Sequence, residues 1–408
     1  HRHLVAMKRN SLPNDKPAVE KTINIELPSG RLKLRLALVI ALIVLAVAAF
    51  GLGINSLIGT EPGLTEISAL SGEMNAGSSF TFYYYLGWDG ADASDERRAV
   101  CSVYTEAATA ALGLFDSGID AGDVNGLYYL NRHANEPVAV DAALYSALEQ
   151  LEESGTRYHY LAPLYAQYAA LTGSTSDEEA AQYDPRLDAG QAGFFSDVAA
   201  YASDPGAVGI ELLGGGEVRL NVSEEYLAFA AENGVTDFVG LGWMRNAFIA
   251  DYIAAALTDA GYTRGALISC DGFMRCLDTE TGTEYSFNFS HRAGGTVTNI
   301  AALHFSGDVS IACLRDYPAE GSAAGGYYQY ADGRLRSGFL DPADGLDRCC
   351  VPELCGYSSS TGCAGLALSL APLFIADTLD IDELETLEIA GISVYYTDNG
   401  ALCSTADA

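Results

Sequence analysis

Lysine ends at Lys33, and not one residue after it is a lysine. From residue 36 onward 14 Arg face 51 Asp and Glu, a formal charge of −37. A surface of that sign repels nucleic acid and anionic lipid, so no nucleic-acid partner is expected. Dispersed carboxylates of this kind keep an exported domain in solution, which is preferred to a cation-binding surface. The usual catalytic signatures are missing too. Neither G-x-S-x-G nor H-E-x-x-H occurs, which removes support for serine-hydrolase and zincin chemistry. Cys349, Cys350, Cys355 and Cys363 lack the paired C-x₂-C knuckles of a zinc site. They read as disulfide partners or buried thiols, and the odd total of nine cysteines leaves at least one unpaired within the chain. His133, His159, His291 and His304 show no metal-ligand spacing and read as structural.

One long apolar run is present. Leu36 to Leu52 carries no charged or strongly polar side chain, and its extension to Ile54 reaches the roughly 17 to 25 residues a helix needs to cross hydrocarbon. A cleaved signal peptide would place its apolar core nearer the N-terminus, so an uncleaved anchor is preferred. Eight of the 22 basic residues precede the run, with Arg31, Lys33 and Arg35 against it. That bias puts residues 1–35 in the cytoplasm as a basic tail and everything beyond 54 outside, a single-pass cell-membrane protein with an extracytoplasmic domain. Residues 55–73, bearing Gly, Ser, Thr and Pro, read as a linker. Residues 74–408 read as one large domain, with two lobes as the alternative.

Within that domain Phe80 to Leu86 (FTFYYYL) has strand composition. From Asp92 the positions Val100, Val103, Tyr104, Ala107, Ala108, Ala111 and Leu112 recur at helical spacing, and Leu144, Ala147, Leu148 and Leu151 do so after a candidate N-cap, Asp141. Residues 173–190 are polar and read as a loop, and Gly214-Gly215-Gly216 as a hairpin turn. Asn246 to Ala260 is predicted helical with Gly261 ending it, Ala266 to Cys270 a strand running into the Asp271-Gly272 turn, and short strands dominate from Thr296. The predicted class is α+β, helices packed against mostly antiparallel sheet, preceded by one transmembrane helix.

Several segments, in order over residues 74–408, resemble the bacterial FAD:protein FMN transferase family. Gly77-Ser78 before FTFYYY is similar to that family's Met-Gly-Thr opening. Residues 125–131, ending in Asn131, with Glu136-Pro137-Val138, resemble its Ser-Glu-Leu-x-x-Leu-Asn segment and the turn after it. Leu241-Gly242 through Asp251 to Ala266-Leu267-Ile268 resembles its Asp-Leu-Gly-Gly-Ile-Ala-Lys-Gly helix and following strand. Phe339-Leu340-Asp341-Pro342 with Gly345 resembles its His-Ile-x-Asp-Pro-x-x-Gly turn.

The resemblance implies a flavin-transferase-like fold that binds FAD and Mg²⁺ and transfers FMN to a Thr or Ser of an exported acceptor flavoprotein. It assigns cofactor binding to Gly77, Ser78, Asn131, Gly242, Asn246, Asp251 and Gly272, metal binding to Ser369 and a catalytic place to Asp341. The departures are as specific as the matches. The family's helix-start Asp falls on Gly240, its second Gly on Trp243, its Lys on Asn246, its His on Gly338 and its metal Asp on Gly365. Asp271, Asp341 and Asp344 are the carboxylates that could compensate, although Asp on a turn ordinarily bonds its own backbone. Two readings follow: an exported FMN transferase, or a non-catalytic flavin- or protein-binding module of the same fold.

Overall fold

The computed structural model describes residues 61–72, 74–293, 296–318 and 326–405, all within the compact unit Thr60–Ala408. The predicted span 36–54 lies outside the described residues, and among the described residues no helix is long and apolar enough to cross a membrane.

The strands in chain order are β1 (Gly63–Ile67), β2 (Phe80–Leu86), β3 (Pro137–Ala139), β4 (Val208–Gly214), β5 (Glu217–Val222), β6 (Gly265–Ser269), β7 (Phe273–Asp278), β8 (Tyr285–Ala293), β9 (Thr296–Phe305), β10 (Gly307–Arg315), β11 (Tyr327–Gln329), β12 (Leu335–Ser337), β13 (Glu353–Ser358), β14 (Ser393–Asp398) and β15 (Ala401–Ser404). The helices are α1 (Ala93–Phe115), α2 (Leu127–Arg132), α3 (Ala142–Glu153), α4 (Ala162–Thr172), α5 (Asp177–Ala181), α6 (Ala189–Ser203), α7 (Glu224–Asn233), α8 (Arg245–Asp259), α9 (Cys363–Phe374) and α10 (Ile381–Ile389).

An eight-stranded sheet in the order β1-β2-β6-β7-β10-β13-β14-β15 forms the centre, and every neighbouring pair in it is antiparallel. Side chains alternate across it. On β10, Ala312 and Leu314 join the large core under the helices, while Val309, Ile311 and Cys313 join a second core with Phe289 and Phe305 of the β8–β9 hairpin. Because both faces are covered, β10 is buried at every position from Val309 to Leu314 rather than at alternate ones. A smaller sheet, β3-β5-β4, carries the tight turn expected at the three glycines, all with positive φ.

Two expectations change. The stretch read as a linker contains β1, which pairs along β2 from Gly63 opposite Leu86 to Ile67 opposite Phe82. Only Ile67 of that strand is buried, so an edge strand with one core residue left little periodicity to read. Residues 173–190 are not all loop: Ser176 caps α5 by accepting from the Glu179 N–H, and the Glu179 carboxylate accepts in turn from the Thr175 N–H at 2.8 Å. Ser three residues before Glu was the available signal. All nine cysteines are free thiols, and Cys313 lies opposite Cys355 across β10 and β13.

α8 and α9 are tied to the sheet through one carboxylate. Asp251 on α8 accepts from the N–H groups of Cys363 and Ala364, at 2.9 and 2.8 Å, and pairs with Arg275 of β7 at 3.0 Å. The N-cap residue of α9, Gly362, has no side chain to cap with, and a Cβ there would lie 2.6 Å from the Asp251 carboxylate. α9 therefore takes its cap from a helix over a hundred residues earlier in sequence. Replacing Asp251 by Ala removes both capping bonds and leaves Arg275 without its helix-side partner, which costs about 3 kcal/mol. Urea unfolding of the two proteins should show that difference; a change under about 0.5 kcal/mol would mean that α9 does not depend on this cap.

Candidate functional site

The amino end of α8 opens onto a cleft of about 670 Å³. A short turn, Gly242–Met244, leads into the helix and puts Gly242, Trp243, Arg245 and Asn246 on the cleft wall. Gly242 has φ +52°, and a Cβ there would lie 2.5 Å from the Tyr165 ring, so glycine is required on both counts. Tyr165 comes from α4 and is fixed by its hydroxyl, which donates to the Tyr158 carbonyl at 2.9 Å. Opposite, Phe339 packs on Trp243 with ring centroids 5.2 Å apart. Tyr327, whose hydroxyl donates to the Arg315 carbonyl at 2.8 Å, adds a further ring.

Polar groups gather at the start of α8. The buried Asn246 donates through Nδ2 to Asp271 Oδ2 at 2.9 Å, and Ser269 donates its hydroxyl to Asp271 Oδ1 at 2.6 Å. Asn246 Oδ1 is buried without a hydrogen-bond partner. Asp271 opens to the cleft yet is walled by protein around it, and that desolvation raises its carboxyl above the usual range despite the hydrogen bonds that lower it. Desolvation, and after it the Asp271 charge, also pushes the neighbouring Cys270 thiol up.

Both arginines of the lining are already paired. Arg245 holds Asp116, and Arg315 holds the fully buried Glu353 at 2.6 Å, with the Tyr317 hydroxyl donating to the same carboxylate at 3.0 Å. Asp237 at the rim pairs with Arg132 at 3.3 Å.

Of the residues assigned by resemblance, Gly242 and Asn246 line the cleft, as do the departures Gly240, Trp243 and Gly338. The others lie outside its lining. Gly77 sits in a turn where its N–H donates to Asn75 at 2.8 Å, and the exposed Ser78 follows it; the next residue, Ser79, is the one that reaches the cleft. Asn131 is buried and clamps the segment entering the cleft wall, bonding the Val239 carbonyl at 2.7 Å and the N–H groups of Phe238 and Val239 at 2.8 and 2.9 Å. Asp251 caps α9. Gly272, with φ +106°, lets the chain pass the Cys313 carbonyl, 2.3 Å from where a Cβ would stand. Asp341 bonds the Ala343 N–H at 2.8 Å and pairs with Arg348 at 3.2 Å, and Asp344 bonds the Leu346 N–H at 3.0 Å and the same arginine, so both are turn carboxylates with a cation attached.

The metal place fits poorly. Ser369 donates its hydroxyl to the Gly365 carbonyl of its own helix at 2.9 Å, and Gly365 lies against Thr361 and Gln150. Among the described residues no three His, Cys, Asp or Glu side chains gather to hold an ion. A hard divalent cation needs several oxygen ligands, and one hydroxyl engaged elsewhere does not supply them. The pairs Arg315–Glu353 and Arg245–Asp116 carried no sequence resemblance. Their available signal was scarcity: in a domain so poor in cations, an arginine ending the apolar run of β10 needs a buried partner.

The antiparallel sheet with helices over one face is a fold shared with solved flavin transferases. Solved structures carry the likeness: the ApbE protein of Thermotoga maritima, at TM-score 0.59 and 14% identity, with 84% of this chain and 96% of that chain covered. The flavin transferase ApbE of Vibrio cholerae gives TM-score 0.55 and 14% identity, covering 85% and 98%. The apo flavinyl transferase ApbE of Pseudomonas stutzeri gives 0.51 and 15%, covering 85% and 95%. No family model and no curated protein matches the sequence.

Two measurements follow from the site. Gly242→Ala places a methyl group against Tyr165 at a left-handed backbone position, and should lower unfolding free energy by about 2 kcal/mol in urea; an unchanged midpoint would refute the close approach. Asp316, next to Arg315, has its carboxyl pushed up to about 6 by burial. The folded state thus holds this proton more tightly than the unfolded state. Its contribution to stability is complete below the unfolded value near 4 and lost as pH rises through about 6. Asp316→Asn should therefore stabilise the protein by about 2 kcal/mol at pH 7.5 and by almost nothing at pH 4, a contrast thermal melts at the two pH values will test.

Proposed function

We propose that this chain is a flavin-binding protein of the flavin-transferase fold that does not carry out metal-assisted FMN transfer, and that the segment 36–54 anchors it with this domain outside the cytoplasm. One observation carries the first part. The positions where the resemblance puts an acid, a lysine and a histidine all line one cleft, and they hold Gly240, Asn246 and Gly338. The aromatic walls remain, from Tyr165, Trp243, Tyr327 and Phe339. Planar aromatic ligands stack on such rings. Breaking a pyrophosphate, by contrast, requires cations that neutralise the developing charge and a group that removes the acceptor hydroxyl proton. The lining arginines are each engaged by a carboxylate, Asp341 is held in its turn by Arg348, and no lysine exists in the domain.

Flavin held in this cleft would rest on ring stacking, with Asn246 and Asp271 at its floor. The competing reading, an exported transferase acting on an acceptor flavoprotein, makes the opposite prediction in one experiment. The full chain in mild detergent, given FAD, Mg²⁺ and an acceptor protein bearing the target Thr or Ser, should bind flavin and leave the acceptor unlabelled. Binding is read from quenched flavin fluorescence and transfer from flavin fluorescence on a denaturing gel. A fluorescent acceptor band would establish the transferase and overturn this proposal.

A further inference from the structure

The floor of the cleft presents acceptors where a phosphate would need donors. A carboxylate accepts, so Asn246 gives an amide N–H to Asp271, while its Oδ1 stays buried without a partner. Ser269 likewise gives its proton to Asp271 and takes the Phe273 N–H at 2.8 Å. The charges add to the same picture. Arg245, Arg315 and Arg132 are matched by Asp116, Glu353 and Asp237, and among the described residues no ion pair is formed with Asp271, whose carboxyl the Arg245 charge lowers only as the last of several causes.

A helix amino end with free N–H groups is ordinarily attractive to phosphate. Here the chain provides its own anion at that end, because Asp271 hydrogen-bonds a side chain in the first turn of α8. A phosphorylated ligand would have to displace or oppose that carboxylate inside a cleft where desolvation strengthens like-charge repulsion.

We propose that Asp271 is a specificity-determining residue that makes the cleft select an uncharged flavin, of the riboflavin type, over flavin mono- and dinucleotides. The ligand class follows from complementarity: a flavin ring offers an imide N–H and its ribityl chain offers hydroxyl donors, which match the Asp271 oxygens, while an uncharged side chain avoids the repulsion. The proposal rests on the flavin-binding reading above, and its test separates the two. Riboflavin, FMN and FAD are each titrated calorimetrically into the full wild-type chain and into Asp271→Asn, at low salt and without added metal.

Riboflavin should bind wild type at least about tenfold more tightly than FMN or FAD, which is about 1.4 kcal/mol. Asp271→Asn should tighten FMN and FAD by about tenfold and change riboflavin by less than about threefold. FAD binding wild type as tightly as riboflavin, or a substitution that moves all three ligands equally, would overturn the role of Asp271 and leave flavin binding standing. Absence of binding by any of the three to folded protein, with its far-ultraviolet circular dichroism intact, would overturn both. Should the variant fail to fold, the order of the three wild-type affinities decides alone.

Discussion

The Asp251 carboxylate joins three elements that no local sequence could hold together. It leaves α8, closes the open amino end of α9 with two hydrogen bonds and takes the Arg275 guanidinium from β7. The thiol of Cys363, the first residue of α9, donates to the Met274 carbonyl at 3.2 Å and seats α9 directly on the sheet. With α8 fixed at its middle against both the sheet and α9, its amino end has a defined position. That end is where Trp243, Arg245 and Asn246 meet the cleft. A residue assigned to cofactor binding by resemblance thus acts at a distance, by placing the helix whose first turn forms the site.

Scarcity of cations governs the site itself. A domain with so few arginines and no lysine cannot leave positive charge free inside a cleft bordered by carboxylates, so Arg245 and Arg315 are bound by Asp116 and Glu353. A buried ion pair of this kind maintains geometry more than it adds stability, since desolvation offsets most of the attraction. The aromatic walls of the cleft thus stand beside arginines that are already paired. Chemistry depends on a few side chains mounted on a shared scaffold, so the fold by itself does not fix the reaction.

Much of the fold was legible because its signals are local. Helical spacing marked α1, α3 and α8, the aromatic run marked β2 end to end, and the three glycines marked the β4–β5 turn, since each rests on neighbours a few residues apart. β1 was not, because an edge strand with a single buried residue owes its existence to β2 and has almost no pattern of its own. The candidate site divides the same way. The segments resembling the flavin transferases marked the stretch around Gly242 and Asn246, whereas Gly77, Asn131, Gly272 and Asp341 proved to hold turns and strands outside the cleft lining.

By itself the sequence determined the class of elements, their order, the acidity of the domain and the absence of lysine, because composition and periodicity are properties of the chain before it folds. Tertiary structure alone decided which charges meet. Asp271 came to rest against the first turn of α8, Arg315 against Glu353 and Asp251 against α9, over separations of 25, 38 and 112 residues. An ion pair or a borrowed cap depends on through-space distance, and no repeat or spacing along the chain encodes it.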